Sequence, residues 1–448
     1  MKHSIILSAS FSMLALAAGL TSCEFEQEDF FDEPAALRIE STNADIKAKL
    51  VAGSNNGWLI QYFVAGTDEM TFEGFNLFGK FYETGKVTLS GNHRFLRNGN
   101  AGKYTEYTSY YEMLKEEGSV LAFNTWNDIL TVFVDPVSPS FAPNNIVNDG
   151  EGMHGDDRLV MQSYSDDYMV FRGERHGAKA YFIKLDRSPE QYVADINELK
   201  SRVANSVVTE YMLAATDTTV YLSGLNRGYF EVVDRLDDPL QSSTQACVFT
   251  PDGFRMEHPF ALKSDTVQTF TVDAATTKLT SGNATLTPCW ERYVGSRCSA
   301  NNAVTITADG GSVDFANLVN DLSSNVTSNF SSQSFAGISF GRSNEGSGKS
   351  RSGLTFTFKT SKTSYIVAFQ GTVTVDAKAG TLTINVDPAD HSTNYNSYDN
   401  KGLGQYFDAI VTRMNGTYSF TVDAPFAPSV ATFKKNGDDN WSFQAKLR

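Results

Sequence analysis

Residues 354–358 read Leu-Thr-Phe-Thr-Phe, and this strict alternation of apolar and polar side chains decides the fold class. Successive side chains of a strand point to opposite faces, so the alternation gives one apolar face and one hydroxylated face. The same pattern recurs at 372–375, at 382–386 (Leu-Thr-Ile-Asn-Val) and at 418–422. Antiparallel sheets with one packed face and one wet face show this pattern. We therefore predict a mainly β protein with a few helices, folded as antiparallel β-sandwich or barrel-like domains in two regions.

The N-terminal half has strand signals of a more apolar kind. Residues 57–63 (Gly-Trp-Leu-Ile-Gln-Tyr-Phe) predict a strand, and further strands are predicted at 75–81 and 85–89. Residues 168–173 and 180–185 predict a hairpin. The Gly-Trp pair that opens this region is compatible with a lipocalin-like barrel. The apolar run 129–134 also resembles a strand.

Helices are predicted at four places by capping residues and by apolar side chains at helical spacing. The clearest starts at Ser188, with Pro189 in the first turn, and extends to Val207. The others are expected at 42–52, 315–330 and 404–414. Two long segments are expected to be loops: 135–157, which contains three prolines, and 341–353, which has no apolar residue.

These patterns divide the chain into five parts. They are a signal peptide (1–22), an acidic tether (23–38), an N-terminal β domain (39–187), a connecting helix (188–215) and a C-terminal β-rich region (216–448) long enough for two subdomains.

The N-terminus carries the most specific chemical signal in the chain. An apolar run after Lys2 and His3 ends in Leu20-Thr21-Ser22-Cys23. It is too short for a permanent membrane span and has the form of an export signal. Its end resembles a bacterial lipobox, and this resemblance implies removal of residues 1–22 and lipidation of Cys23. The attached acyl chains would then anchor the protein to the membrane.

The residues after Cys23 are strongly acidic. Positions 24–33 hold six acidic and no basic side chains, which is typical of a solvated tether. Acidic runs at this position also resemble the export signal of surface-exposed Bacteroidetes lipoproteins, and both interpretations can hold together. We expect a lipid-anchored protein of the outer membrane, exposed at the cell surface.

The net charge bears on the class of ligand, and the cysteine count bears on possible disulfides. A net charge of −15 and a pI of about 4.9 argue against nucleic acids and anionic membrane surfaces as ligands. Three cysteines follow Cys23, namely Cys247, Cys289 and Cys298. Export permits a disulfide, and Cys289 with Cys298 closes the shortest loop, but the pairing stays open and an odd number leaves at least one thiol free.

Residues that could do chemistry are sparse. His154, Asp156 and Asp157 are weak candidates for a calcium or zinc site, against the alternative of a solvated loop. The Gly348-Lys349-Ser350 sequence lacks the first glycine of a phosphate-binding loop, because Ser343 occupies that position. No metalloprotease or nucleophile-elbow motif occurs. We predict no catalytic residues and no cofactor.

An aromatic cluster leaves two interpretations open. Tyr104, Tyr107, Tyr110 and Tyr111 lie close in sequence, and Trp126 follows. Such side chains fill sheet faces and cores in most β proteins. On an exported protein, exposed aromatic faces can also stack on sugar rings.

Four ordered segments carry a family resemblance: 57–62, 74–81, 85–88 and 118–125. Together with the lipobox and the acidic run, they resemble a family of Bacteroidetes lipoproteins catalogued as a domain of unknown function, over roughly residues 23–190 and less clearly over the remainder. The resemblance implies an accessory component of starch-utilisation-system (Sus)-type loci, beside SusC-like transporters and SusD-like binding lipoproteins. It carries over no catalytic residue.

Three functions remain as hypotheses. The first is a non-enzymatic surface lipoprotein that binds a glycan, a glycopeptide or a protein during outer-membrane nutrient uptake. The second is an adhesin or structural cell-surface protein, which suits serial β domains on a tether. The third is a hydrolase with an unrecognised site near 154–157. Catalysis is left open, with the non-enzymatic hypothesis favoured.

Overall fold

The computed structural model describes residues 34–447, apart from 54, 67–70, 117, 136–151, 204–208, 236–243, 274–277, 299–302, 347–348, 377–378 and 425–427. The predicted signal peptide, Cys23 and the whole acidic run (24–33) therefore lie outside the described residues, as does most of the 135–157 loop.

The strands form three closed antiparallel barrels of eight strands each, so the predicted mainly β, barrel-like architecture is confirmed. In each barrel the strands follow chain order, and the first strand pairs with the last. The strands of barrel 1 are Trp58–Phe63 (β1), Phe75–Phe81 (β2), Lys86–Gly91 (β3), Thr105–Lys115 (β4), Ser119–Phe123 (β5), Arg158–Tyr164 (β6), Tyr168–Gly173 (β7) and Lys179–Lys184 (β8).

Two further barrels fill the rest of the chain. Barrel 2 contains Glu210–Ala214 (β9), Thr219–Ser223 (β10), Tyr229–Arg235 (β11), Thr244–Thr250 (β12), Gly253–Ala261 (β13), Thr266–Val272 (β14), Leu279–Ser281 (β15) and Ala284–Pro288 (β16). Barrel 3 contains Ala303–Thr307 (β17), Ser334–Gly346 (β18), Lys349–Lys359 (β19), Ser364–Asp376 (β20), Thr381–His391 (β21), Gly416–Val422 (β22), Val430–Lys435 (β23) and Ser442–Lys446 (β24).

Helices connect and cap the barrels. They are Ala35–Val51 (α1), Thr131–Val134 (α2), Pro189–Val203 (α3), Trp290–Arg297 (α4), Val313–Asn329 (α5), Thr393–Asp399 (α6) and Gly404–Met414 (α7), with a 3-10 turn at Leu225–Arg227. The residues 35–38 thus belong to a helix, and 210–214 belong to a strand. In the described part of the chain, no helix combines the length and apolar character needed to cross a bilayer.

Strand β1 shows why the 57–63 run is apolar throughout. All six of its residues are buried. Trp58, Ile60 and Tyr62 face the core of barrel 1, whereas Leu59 and Phe63 pack outward in clusters shared with barrel 2. Because both faces are covered by protein, the alternation seen in barrel 3 disappears here.

The Gly-Trp pair has a specific role at the start of β1. Gly57 has φ +87°, and a Cβ there would lie 2.6 Å from the carbonyl oxygen of Gly79. The indole N–H of Trp58 donates to the carbonyl of Leu50 at the end of α1, at 2.9 Å. The pair therefore fixes both the turn into the sheet and the docking of the first helix.

Helix α3 lies between barrels 1 and 2. Its start is as predicted, because the Ser188 hydroxyl accepts the N–H of Gln191 at 3.2 Å. Its buried side chains Tyr192, Ile196 and Leu199 pack in the same cluster as the core of barrel 2. This shared apolar contact joins the first two barrels.

Two predicted elements were of the wrong type, and the helix predicted at 42–52 begins seven residues earlier, since α1 spans Ala35–Val51. Residues 341–353 are not a flexible loop, since β18 and β19 pair from Ser334–Lys359 to Gly346–Lys349. Backbone hydrogen bonds extend this polar hairpin without apolar side chains, so hydropathy gave no strand signal. The 129–134 run contains α2 rather than a strand, because a short buried apolar run does not distinguish the two.

The three cysteines of the C-terminal part are buried free thiols. Cys289 and Cys298 flank the eight-residue helix α4 at its two ends. At 1.5 Å per residue, their Cα atoms are separated by roughly 13 Å. A disulfide requires less than about 7 Å, so the shortest loop in sequence is not a bridge.

Candidate functional site

The strongest candidate for a binding surface is the Trp126 surface, which comprises Arg97, Trp126, Asp128 and Asp135. It begins where the chain leaves β5 and continues beside β4. The N–H of Asn124 donates to the carbonyl of Tyr110 at 3.2 Å, and the N–H of Tyr110 donates to the Thr125 hydroxyl at 3.0 Å. These bonds hold the connector against the neighbouring strand.

Asn127 anchors the same connector from inside the barrel. Its side chain is fully buried, and its amide N–H₂ donates to the Ser109 hydroxyl at 2.9 Å and to the Tyr107 carbonyl at 3.2 Å. Its side-chain oxygen accepts the N–H of Ile129 at 3.0 Å. A buried amide with all these bonds made defines a single backbone position, so the residue before it is rigidly presented.

Trp126 is exposed but held in place. Its side chain is 41% exposed, and its indole N–H donates to Asp128 Oδ1 at 2.6 Å. The guanidinium carbon of Arg97 lies 4.5 Å from the ring centroid, and Arg97 forms an ion pair of 2.9 Å with Asp135. A cation over an exposed ring contributes about 0.5–1 kcal/mol. The result is a pre-oriented aromatic surface with charged groups at its margin.

The predicted tyrosine cluster is divided between packing and surface. Tyr111 is buried, with its ring centroid 5.0 Å from that of Phe81, and it belongs to the core of barrel 1. Tyr107 and Tyr110 are 39% and 51% exposed, and they lie on opposite faces of β4 because their positions differ by three, an odd number. The Tyr104 hydroxyl donates a hydrogen bond to the Ser90 hydroxyl at 3.0 Å.

Exposed aromatic side chains concentrate on barrel 1. In the described residues, eight large apolar side chains are exposed, and five of them are aromatic residues of this barrel. They are Tyr82, Tyr107, Tyr110, Trp126 and Tyr164. Because Tyr107 and Tyr110 lie on opposite faces of β4, these five residues do not form one contiguous patch, and Trp126 is considered by itself.

The predicted metal candidates lie together at the end of barrel 1, but Asp156 has another role. It is 3% exposed, and its carboxylate accepts the backbone N–H groups of Arg175, His176 and Ala178 at 3.0–3.1 Å. The Tyr62 hydroxyl donates to the Asp156 carbonyl at 2.8 Å. This carboxylate therefore clamps the turn between β7 and β8.

His154 and Asp157 are the other two predicted metal candidates. His154 has φ +55°, and its ring stacks on that of His176 with centroids 4.7 Å apart. Burial raises the pKa of the Asp157 carboxyl. Across the described segments, no three His, Cys, Asp or Glu side chains are arranged to hold a metal ion.

Sequence reasoning missed the residues that support Trp126. Arg97 and Asp135 are 29 and 9 residues away along the chain, in segments without regular periodicity. Asn127 carried a weak signal, since an Asn after a strand favours a turn. Its burial and its contacts with β4 depend on closure of the barrel.

Comparisons with known proteins place the chain in a family. No curated protein sequence matches it. Among solved structures, the DNA polymerase III subunit beta of Borrelia burgdorferi, in complex with a natural product, aligns at 8% identity and a TM-score of 0.11, covering 91% of this chain and 96% of that one. The Helicobacter pylori beta clamp bound to a DNA ligase peptide aligns at 7% identity and a TM-score of 0.12, covering 91% and 97%.

These two similarities are too low to support any inference about fold or function. The family described as "Domain of unknown function (DUF4302)" matches residues 27–274, which span barrel 1 and the first six strands of barrel 2. The match confirms the resemblance to a family of unknown function over residues 27–274. Because it covers more than half of the 448 residues, the chain belongs to the DUF4302 family.

Proposed function

We propose that this protein is a non-enzymatic surface lipoprotein of the outer membrane that binds glycans as an accessory of a Sus-type nutrient uptake system. The lipobox ending at Cys23 supports membrane anchoring, and the acidic run after it supports surface exposure. SusC-like and SusD-like outer-membrane proteins are the proposed partners. The observation that carries the binding function is the exposed, rigidly held ring of Trp126.

The chemistry of the Trp126 surface suits a sugar ring. A pyranose has an apolar C–H face and a hydroxylated edge. The indole face of Trp126 that Arg97 does not cover can pack against the first, while Asp128 and Asp135 accept hydrogen bonds from the second. Because Arg97 and Asp128 already fix the ring, little side-chain entropy is lost on binding.

Native affinity electrophoresis of the purified protein through gels containing single soluble polysaccharides tests the proposal. At least one polysaccharide should retard the wild-type protein. Trp126→Ala should weaken the affinity for that polysaccharide, as measured from the retardation, roughly 30-fold, since a central aromatic contact contributes about 2 kcal/mol. Tyr365→Ala is the matched control, because Tyr365 is 37% exposed on barrel 3.

Three results would contradict the proposal. They are absence of retardation by every polysaccharide, equal retardation of wild type and Trp126→Ala, and equal loss in Tyr365→Ala. The proposed partners are tested separately by co-purification of the tagged lipoprotein from detergent-solubilised outer membranes. Recovery of a SusC-like or SusD-like protein is expected there, and recovery of neither would remove the uptake assignment.

A further inference from the structure

A second candidate site lies in the cleft between barrels 1 and 2. The cleft has a volume of about 320 Å³. Its walls come from the start of β2, the 92–94 turn, helix α3, the turn ending at Gly228, and β12. None of the residues that define the Trp126 surface lines it.

The floor of this inter-barrel cleft is fixed by contacts between the barrels. The N–H of Gly74 donates to the carbonyl of Cys247 at 2.9 Å, and the side-chain N–H₂ of Asn76 donates to the carbonyl of Phe249 at 2.8 Å. Gly228 has φ +84°, and a Cβ there would lie 2.5 Å from the Cβ of Glu73. The cleft is therefore a defined cavity rather than a loose gap.

His93 provides the first buried acceptor in the cleft lining. Its side chain is 7% exposed, and its Nε2 lies 3.0 Å from the carbonyl oxygen of Ile129. A carbonyl can accept but not donate, so Nε2 carries the hydrogen. Burial lowers the pKa of His93 to about 4, which keeps the ring neutral. Nδ1 is then an acceptor, and it is buried without a hydrogen-bond partner.

Asn76 provides a second acceptor of the same kind. Because its N–H₂ group donates to Phe249, its Oδ1 is the free end of the amide, and this oxygen is also buried without a partner. Buried acceptors are nearly always satisfied in folded proteins. Two of them in the lining of one cleft indicate that a group with hydrogen-bond donors belongs there.

The remaining polar groups restrict the ligand further. Asn92, Asn197 and Asn226 line the cleft, and an amide both donates and accepts, as a hydroxyl does. The charges in the lining are mixed: Glu73 is paired with Arg94 at 3.2 Å, and the Lys200 ammonium lies 5.1 Å from the centroid of the Phe249 ring. With two cations and one carboxylate, the lining carries a net charge of +1, which disfavours a cationic ligand, and a carboxylate would supply no hydrogen-bond donor to the two buried acceptors.

We propose that the inter-barrel cleft binds a neutral, polyhydroxylated small molecule of one or two sugar rings, whose hydroxyl groups donate to His93 Nδ1 and Asn76 Oδ1. The cavity volume lies at the small end of the range for ligand pockets, about 300–1,000 Å³. This site is independent of polysaccharide binding at Trp126. It lies within the residues that match the family.

Isothermal titration calorimetry of the full-length protein tests the site with D-glucose, D-galactose, N-acetyl-D-glucosamine, maltose and cellobiose, and with D-glucuronate and D-glucosamine as charged counterparts. At least one neutral sugar should bind with one-to-one stoichiometry, and it should bind more tightly than D-glucuronate and D-glucosamine. The double variant Asn197→Ala/Asn226→Ala should weaken binding at least fivefold. Both residues are exposed, so the fold should tolerate their truncation.

A second measurement reports on His93 directly. In protein labelled with ¹⁵N-histidine, a saturating neutral sugar should shift the Nδ1 resonance of His93 in the direction of an accepted hydrogen bond. The resonance is assigned from its loss in His93→Gln, and the other five histidines serve as internal references. A purely structural histidine would not respond to sugar.

The controls separate this site from the Trp126 surface. Trp126→Ala should bind the small sugar as the wild type does, and the double asparagine variant should retain polysaccharide binding. The proposal is overturned if no neutral sugar binds, if the double variant binds with unchanged affinity, or if the His93 resonance stays in place at saturation. A protein that binds polysaccharide but no small sugar would refute the cleft site while leaving the proposed function intact.

Discussion

Replacing Asp156 with asparagine tests whether this residue is a structural clamp. The substitution keeps the shape of the side chain but changes one acceptor oxygen into an N–H₂ group. The Asp156 carboxylate accepts N–H groups from Arg175, His176 and Ala178, using both of its oxygens. In Asp156→Asn, at least one of these backbone N–H groups faces another donor.

The magnitude follows from these contacts. A hydrogen bond to a charged acceptor contributes about 1.5–3 kcal/mol, and a buried donor left without an acceptor costs about 1–3 kcal/mol. Loss of one such bond, together with the removed charge, should destabilise barrel 1 by about 3 kcal/mol. With an m-value of about 2 kcal/mol per molar urea, the unfolding midpoint should fall by about 1.5 M.

The assay is urea unfolding, followed by tryptophan emission and near-ultraviolet circular dichroism, with and without a chelator. His154→Ala is the matched control, because His154 is partly exposed and contributes ring stacking with His176. We expect a small change for His154→Ala and none with chelator. A metal site would instead predict that the chelator lowers the urea midpoint of the wild type, and that Asp156→Asn and His154→Ala lower this midpoint equally. That combined result would refute the clamp.

Three further predictions concern separate parts of the chain. Burial lowers the pKa of His93 from 6.5 to about 4 in the folded protein. The unfolded state therefore binds more protons between these pH values, and stability is lost as the pH falls through that window. From pH 7 to pH 5 the free energy of unfolding of the wild type should fall by about 2 kcal/mol more than that of His93→Gln, as measured by urea unfolding at both pH values. Cys23→Ala should move the protein from the detergent phase to the aqueous phase in Triton X-114 partitioning, and detergent-phase recovery of this variant would contradict lipidation. Gly57→Ala should destabilise barrel 1 by about 2 kcal/mol or more, because φ is +87° and the Cβ would lie 2.6 Å from the Gly79 carbonyl oxygen; an unchanged melting temperature would show that the turn can relax.

Much of the local structure could be predicted, because it depends on neighbouring residues. Helix α7 has the predicted bounds, and α3 begins at the predicted Pro189. The hairpin of β7 and β8 was predicted nearly to the residue. The errors at 341–353 and 129–134 arose where hydropathy carries no information about backbone pairing, or does not distinguish a helix from a strand.

The candidate sites were largely beyond prediction. The tyrosine cluster pointed to the right region, but burial of Tyr111 and exposure of Trp126 depend on where β4 meets its neighbours. The acceptors of His93 and Asn76 gave no sequence signal at all. Both residues line a cleft that exists only because barrel 2 and α3 pack against barrel 1.

The sequence by itself determined the strand periodicity of barrel 3 and the start of α3 at Pro189, because each depends on residues a few positions apart. The tertiary structure decided how the strands close into three barrels and what covers each apolar face. Strand β1 shows the difference. Its apolar run indicates that both faces are buried, but it does not indicate that Leu59 and Phe63 face a second barrel. Hydrophobic burial is non-directional, so a sequence can specify that a side chain leaves water without specifying the surface that receives it.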